Sequence, residues 1–157
     1  MQMISPFLWF DTQAEEAAKF YVSVFKNAKM GRIARYPEGT PGKAGSVMTV
    51  SFELNGQEFV ALNGGPHYAI TPAISFVVNC EDQGEVDYYW DKLVAGGKPV
   101  QCGWLTDKYG VSWQVVPVQM IDMFADGDTA KTERVAEAMM KMIKLDLPTL
   151  QRAYDGK

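Results

Sequence analysis

The sequence predicts an α+β protein made of two copies of a strand–helix–strand–strand–strand unit, followed by a helical tail. Apolar strand patterns and one amphipathic helix occur in the same order in residues 1–68 and again in residues 73–117. After Pro117 the periodicity becomes helical and the composition turns rich in Ala and Met. We therefore expect one domain over residues 1–117, built from two modules, and a helical extension over residues 118–157.

The first module begins with a short apolar strand that ends at Asp11. Asp11 or Thr12 is expected to cap a helix over Gln13–Phe25, whose apolar positions follow helical spacing. Asn55-Gly56 lies between two strand patterns and is a strong signal for a tight hairpin turn. The predicted strands are Ser5–Phe10, Lys29–Tyr36, Val47–Leu54 and Gln57–Leu62.

The second module repeats this order. Glu81-Asp82 opens an amphipathic helix, and Gly96-Gly97 ends it. Asp107 and Gly110 suit the two ends of a turn that joins the last two strands. In the last strand, alternation places Trp113 and Val115 on an apolar face and Gln114 on the other. The predicted strands are Ala73–Cys80, Lys98–Cys102, Gly103–Thr106 and Ser112–Val116.

Three helical segments are predicted in the tail. A short helical turn is expected at Gln119–Phe124. Thr129 or Thr132 is expected to cap a helix that continues to Leu145. Pro148 suits the first turn of a last helix.

Composition excludes several classes of function. Hydrophobic residues make up 47% of the chain and charged residues 22%, as in ordinary globular proteins. The net charge of −4 leaves no basic stripe for nucleic acid, and no apolar run reaches the roughly 18 residues of a membrane span. The N-terminus lacks the basic start of a signal peptide, and Cys80 and Cys102 are expected to be reduced thiols. We therefore expect a cytoplasmic protein with neither a nucleic-acid nor a membrane partner.

Four segments carry a family resemblance, specific in their combination: FLWFDTQAEEAAKFYVSVF, SVMTVSFELNGQEFVALNGGP, AISFVVNCEDQGEVDYYWDKL and QCGWLTDKYGVSWQVVP. The chain resembles the PhnB-like group of the glyoxalase, or vicinal oxygen chelate, superfamily. Many of its members carry the label 3-demethylubiquinone-9 3-methyltransferase. The resemblance extends over nearly the whole chain, tail included. It implies two βαβββ modules joined into a glyoxalase/bleomycin-resistance-like cup, commonly within a homodimer.

The resemblance also indicates where a metal would bind. Superfamily enzymes hold a divalent metal with one residue from each of four strands. The corresponding positions in this chain are Ile4, Ala61, Ile74 or Ser75, and Gln114. Ile and Ala have no lone pair to offer, so we expect no metal and no other cofactor.

A cup without a metal is expected to bind an apolar or aromatic small molecule, oriented by one or two amides. The alternative is that both sheets pack their faces together and leave no cavity. Trp104 is a candidate for stacking on a ring, although aromatic residues in hairpins often serve cross-strand packing. The candidate ligand-binding residues are Leu8, Phe10, Asn63, Phe76, Trp104 and Gln114.

Two residues are candidates for catalysis. His67 follows Asn63-Gly64-Gly65, so the imidazole and the loop amides could converge on an anion, or the imidazole could simply be solvated. Cys102 is either a nucleophile with a lowered pKa or an inert thiol. No glycine-rich turn follows the first strand, which argues against the usual S-adenosylmethionine site.

Three functional hypotheses follow. The first is a metal-free protein that binds a small apolar or aromatic molecule. The second is an enzyme of the methyltransferase-labelled family that acts on a quinone-like or phosphonate-like substrate. The third is a resistance protein that sequesters a drug.

Overall fold

The computed structural model describes residues 1–157, and the chain divides into two compact units, Met1–Ile70 and Thr71–Lys157. Each unit contains one four-stranded sheet, with the strand order β1-β4-β3-β2 in the first and β5-β8-β7-β6 in the second. The predicted α+β class, with its repeated βαβββ module, is confirmed.

In the first unit the central hairpin is as predicted. The elements are β1 (Phe7–Phe10), α1 (Ala14–Val24), β2 (Ala28–Arg35), β3 (Val47–Leu54) and β4 (Gln57–Asn63). β1 runs parallel to β4, whereas β3 is antiparallel to both β4 and β2. Asn55 and Gly56 both have positive φ, which fits the predicted two-residue turn.

Helix α1 packs on one face of this sheet. Its Tyr21 is fully buried, and its ring stacks 5.9 Å from that of Phe52 on β3. Phe52 in turn lies opposite Phe59 on β4, with the two rings 5.3 Å apart. Because side chains alternate along a strand, Ala61 and its β1 partner Leu8 belong to this same helix-facing side.

The predicted cap of α1 is wrong. The helix begins at Ala14, and its N-cap residue Gln13 makes no side-chain cap bond. Neither Asp11 nor Thr12 serves this purpose, because the Asn63 Oδ1 atom accepts a 2.8 Å hydrogen bond from the Ala14 backbone N–H instead. A residue at the end of β4 therefore fixes the start of α1.

The second unit contains the same module, but its second and third strands are shorter. The elements are β5 (Ser75–Cys80), α2 (Gln83–Val94), β6 (Lys98–Pro99), β7 (Trp104–Thr106) and β8 (Ser112–Pro117). Helix α2 begins directly after the predicted Glu81-Asp82 pair, and Asp82 caps it: the Asp82 side chain accepts a hydrogen bond from the Glu85 N–H at 2.8 Å. The buried α2 residues Val86 and Leu93 pack on the sheet face that carries Trp113 and Val115.

The tail forms three helices within the second unit: α3 (Val118–Ala125), α4 (Thr129–Met140) and α5 (Leu147–Asp155). α4 is capped by Asp128 rather than by Thr129 or Thr132, and it ends at Met140, before the predicted Leu145. Asp146 caps α5. The helices enclose a small apolar core that includes Val116 of β8. None of the helices is long and apolar enough to cross a membrane.

Candidate functional site

Two of the predicted ligand-binding residues lie together on the second sheet. Trp104 of β7 is the direct cross-strand partner of Gln114 of β8, so both side chains are on one face. This is the face turned away from α2, because the neighbouring Trp113 and Val115 pack beneath the helix. We call it the distal face, formed by Ser75, Val77, Trp104 and Gln114.

A hydrogen bond orients the amide on the distal face. The Gln114 Nε2 atom donates to the Ser75 Oγ atom at 3.0 Å. An amide carries two donor hydrogens and an acceptor oxygen, so this one bond leaves further capacity for a ligand. Gln114 and Trp104 are both half-buried, and Val77 beside them is 47% exposed. The distal face therefore combines an indole, an oriented amide and an apolar side chain.

Three of the predicted lining residues lie on the opposite side of their sheets. Leu8 and Phe10 are buried in the core of the first unit, on the face covered by α1. The half-buried Phe76 pairs with Trp113 on the helix-facing side of the second sheet, and their rings are 5.5 Å apart. The expectation that these three side chains line a cup therefore does not match their positions.

The side chain of Asn63 bonds to the protein's own backbone. Besides capping α1, its Nδ2 atom donates to the Val47 carbonyl at 3.1 Å. Its backbone carbonyl accepts a hydrogen bond from the Tyr36 hydroxyl at 2.5 Å. The side-chain oxygen and nitrogen that were expected to orient a ligand are thus already bonded to the protein.

His67 lies beside a cavity of about 700 Å³ in the first unit. The cavity is lined by the Asn63–His67 loop, the start of α1 and the 41–47 loop. The loop amides do not converge on an anion, because the Gly64 N–H donates to the Phe10 carbonyl and the Gly65 N–H to that of Asp11. The charged side chains that line the cavity, Asp11, Glu15 and Lys43, are of both signs and do not form a basic site for an anion.

Both cysteines are free thiols. Burial raises the pKa of the Cys80 thiol to about 12, and the carboxylates of Glu85 and Asp82 add to this effect. Cys80 is therefore protonated at neutral pH and is a poor nucleophile. Cys102 is half-buried in the turn before β7, where its backbone has a positive φ of 59°. No histidine can assist it within the second unit, because the single histidine of the chain, His67, lies in the first.

Asp107 was predicted only as a turn residue, but its carboxylate also holds the hairpin that carries Gln114 by hydrogen bonds. Asp107 is 3% exposed and accepts hydrogen bonds from the backbone N–H groups of Tyr109 and Val111, at 2.8 and 3.1 Å. Its second oxygen accepts from the Trp113 indole at 2.8 Å. The sequence signal for this network was the spacing of Asp107 and Trp113, which lie on opposite sides of the turn.

The residues present do not fit a divalent metal. Ile4 lies before β1 and is 80% exposed, and Ala61 is buried on the helix-facing side, so neither position matches that of Gln114. The first-module position four residues after its turn glycine is Val60, which also has no ligating atom. Within neither unit do three or more His, Cys, Asp or Glu side chains form a group that could hold a metal.

The paired βαβββ modules and their sheet order are those of the glyoxalase, or vicinal oxygen chelate, superfamily. The model of the 3-demethylubiquinone-9 3-methyltransferase family matches residues 2–116. The chain belongs to this family, the PhnB-like group of the superfamily. No functionally curated protein matches the chain.

Solved structures agree with this assignment. A PhnB protein from Bacillus cereus, with the same family description, is 41% identical, with a TM-score of 0.67 over 74% of this chain and 99% of its own. Protein PA1353 from Pseudomonas aeruginosa is 20% identical, with a TM-score of 0.61 over 73% of this chain and 96% of its own. The fosfomycin resistance protein FosX from Listeria monocytogenes is 12% identical, with a TM-score of 0.54 over 74% and 90%. The last two show a similar fold only.

The matched range corrects one expectation. The family model ends at residue 116, just before α3 begins at Val118. The resemblance therefore covers both modules but does not include the helical tail.

Proposed function

We propose that this protein is a metal-free small-molecule-binding member of the PhnB-like family, and that an aromatic or quinone-like ligand, with a flat conjugated ring and a carbonyl group, binds at the distal face. The single observation that carries the proposal is the pairing of Trp104 with an oriented Gln114 amide on that face. The indole offers a flat apolar surface to a ring, and the amide can donate to a carbonyl oxygen.

Quinones have a flat conjugated ring that can stack on an indole, and carbonyl oxygens at its edge that can accept a hydrogen bond from an amide. The family description names a demethylubiquinone, which supports a quinone as the first class to test. A binding role needs no residue beyond those of the distal face. An enzymatic role would need a proton carrier or a nucleophile there, and the two candidates do not meet this need. His67 belongs to the first unit, and the second unit has no histidine to act as a base for the Cys102 thiol.

The test is calorimetric titration with tetramethyl-1,4-benzoquinone, whose fully substituted ring does not add thiols. Wild-type protein is expected to bind it both with and without EDTA. Gln114→Leu removes the amide but keeps the side-chain volume, and Trp104→Ala removes the stacking surface. Each substitution is expected to weaken binding about tenfold, and Gln114→Leu should leave the melting temperature within about 2 °C.

Gln151→Leu is the matched control, because Gln151 is exposed on α5 and bonds only to Asp155 of the same helix. It should bind the quinone as wild type does. Cyclohexane-1,4-dione, which has the carbonyls without a conjugated ring, should bind at least about tenfold more weakly. Unaltered affinity in Gln114→Leu would contradict the proposed site, and binding that depends on an added divalent metal would contradict its metal-free character.

We further propose a cytoplasmic homodimer. The reduced thiols Cys80 and Cys102 agree with a reducing compartment. Native mass spectrometry of the purified protein tests the assembly by its subunit number, and it reports any retained metal or small molecule. A monomer at micromolar concentration would contradict the dimer.

A further inference from the structure

We infer that residues 142–147, the segment between α4 and α5, act as a positioning element for the Trp104–Gln114 hairpin of the distal face. This inference rests on the proposed function, because it assigns that ligand site a support outside the family module. We call residues 142–147 the clamp segment. The family model ends at residue 116, so the clamp segment belongs to the part of the chain that the model does not match.

The clamp segment bonds to the backbone immediately before Trp104. The Cys102 N–H donates to the Met142 carbonyl at 2.9 Å, and the Gly103 N–H donates to the Ile143 carbonyl at 2.7 Å. The Gly103 carbonyl then accepts from the Val115 N–H of β8 at 2.9 Å. The start of β7 is thus held between β8 on one side and the clamp segment on the other.

The backbone conformation at this point needs such support. Cys102 and Gly103 have φ values of 59° and 83°, in the left-handed region that a cysteine adopts only at some cost in energy. A methyl group added at Gly103 would lie 2.9 Å from the Leu145 side chain. Leu145 is fully buried, so the clamp segment packs directly against this turn.

The tail also contacts the second strand of the hairpin. Val116 is two residues beyond Gln114 on β8 and therefore points to the same side of the sheet. It is buried in the apolar cluster that contains Leu145 and Leu150. The tail therefore contacts both strands of the hairpin, next to each of the two residues proposed to touch the ligand.

Gln83 of α2 forms two hydrogen bonds with the clamp segment. Its Nε2 atom donates to the Leu145 carbonyl at 3.1 Å, and its Oε1 atom accepts from the Leu147 N–H at 2.7 Å. An ion pair between Lys144 and Asp87 of α2, at 2.8 Å, adds a second attachment. These side chains do not belong to the distal face, so they can be changed without altering a proposed ligand contact.

The experiment is residue-resolved amide hydrogen exchange combined with titration of tetramethyl-1,4-benzoquinone. Gln83→Leu leaves two backbone groups without partners, so the Cys102 and Gly103 amides are expected to exchange about tenfold faster. Quinone affinity should fall about threefold, because a mobile hairpin must be ordered on binding. Lys144→Met is a milder variant, and the same amides are expected to exchange about twofold faster in it. Lys144→Arg, which keeps the positive charge, should exchange at the wild-type rate.

Two comparisons make the readout specific. Exchange in β3 and β4 of the first unit should stay at the wild-type rate, and Gln151→Leu should alter neither exchange nor affinity. Faster exchange at Cys102 and Gly103 together with weaker quinone binding supports the inference. Unaltered exchange in both Gln83→Leu and Lys144→Met overturns it, as does faster exchange at wild-type affinity. Failure of the wild-type protein to bind the quinone overturns the proposed function, and with it the role of the clamp segment in ligand binding.

Discussion

The two modules share one topology but close their central hairpins in different ways. In the first module Asn55 and Gly56 form a two-residue turn, and both have positive φ. In the second module the turn spans Asp107–Gly110, and the buried Asp107 carboxylate bonds to two backbone N–H groups and to the Trp113 indole. Backbone preference defines the first turn, whereas a side-chain network defines the second.

The helix starts differ in the same manner. α2 is capped by Asp82, the residue directly before it, whereas α1 is capped by Asn63 from the end of β4. The comparison teaches that a strand order can be preserved while the hydrogen bonds that fix it move between local and distant residues. Each difference predicts that a matched pair of substitutions will have unequal effects in the two modules.

The largest difference is expected between the two turns. Asp107→Ala leaves two backbone N–H groups and a buried indole N–H without their acceptor, and should lower the free energy of unfolding by about 3 kcal/mol. Asn55→Ala places an alanine in the left-handed region and removes the acceptor of an exposed 3.5 Å hydrogen bond from the Asn27 amide, and it should cost about 1 kcal/mol. Urea denaturation followed by tryptophan fluorescence measures both. Asp107→Asn, which keeps one acceptor oxygen, should fall between them; equal losses in the two alanine variants would refute the distinction.

A smaller difference is expected between the two caps. Asn63→Ala removes the acceptor for the Ala14 N–H and the donor to the Val47 carbonyl, and should cost about 2 kcal/mol. Asp82→Ala removes a cap at an exposed helix start and should cost about 1 kcal/mol. The same denaturation assay applies. Asn63→Asp retains the acceptor and should recover part of the loss, and a full loss in that variant would assign the effect to the Val47 contact instead.

The sequence was sufficient to predict the repeated module, because strand and helix periodicities are local and the Asn55-Gly56 turn has a specific backbone requirement. The bounds of Val47–Leu54 agree with the structure for this reason. The cap of α1 could not be predicted, since Asn63 is distant in sequence. The end of α4 at Met140 was missed because the apolar Met142 and Leu145 continue the helical spacing although they pack outside the helix.

The candidate site was predicted only in part. Alternation correctly separated Gln114 from Trp113 and Val115 within the last strand, but it does not say which face a helix covers, and it did not prevent Phe76 from being grouped with Gln114 although the two lie on opposite faces. All four residues of β1 are apolar or aromatic, so nothing in the sequence distinguished buried Leu8 and Phe10 from exposed Phe7. Gln114 could be identified as a candidate because it is a lone amide in an apolar strand. Its pairing with Trp104 follows from the hairpin register.

The smallest difference expected between the modules lies in the ion pairs that their helices form. Glu15 of α1 pairs with Lys19 of the same helix, whereas Asp87 of α2 pairs with Lys144 of the tail. Hydrogen bonds from Lys144 and Gln83 hold the pKa of the Asp87 carboxyl below its ordinary value. Because the pKa is lowered in the folded protein, the stabilisation is present above the unfolded-state pKa of about 3.9 and disappears as the pH falls through the folded-state value.

This pair is partly exposed, so its contribution at neutral pH should be only about 0.5 kcal/mol. We expect Lys144→Met to raise the pKa of Asp87 in an NMR titration and to flatten the loss of stability with acid. In an Asp87→Asn background, Lys144→Met should have no further effect on stability at any pH, because the partner charge is absent. An equal effect in both backgrounds would mean that Lys144 acts through its aliphatic stem, and that the tail is attached to α2 by packing and by Gln83 rather than by charge.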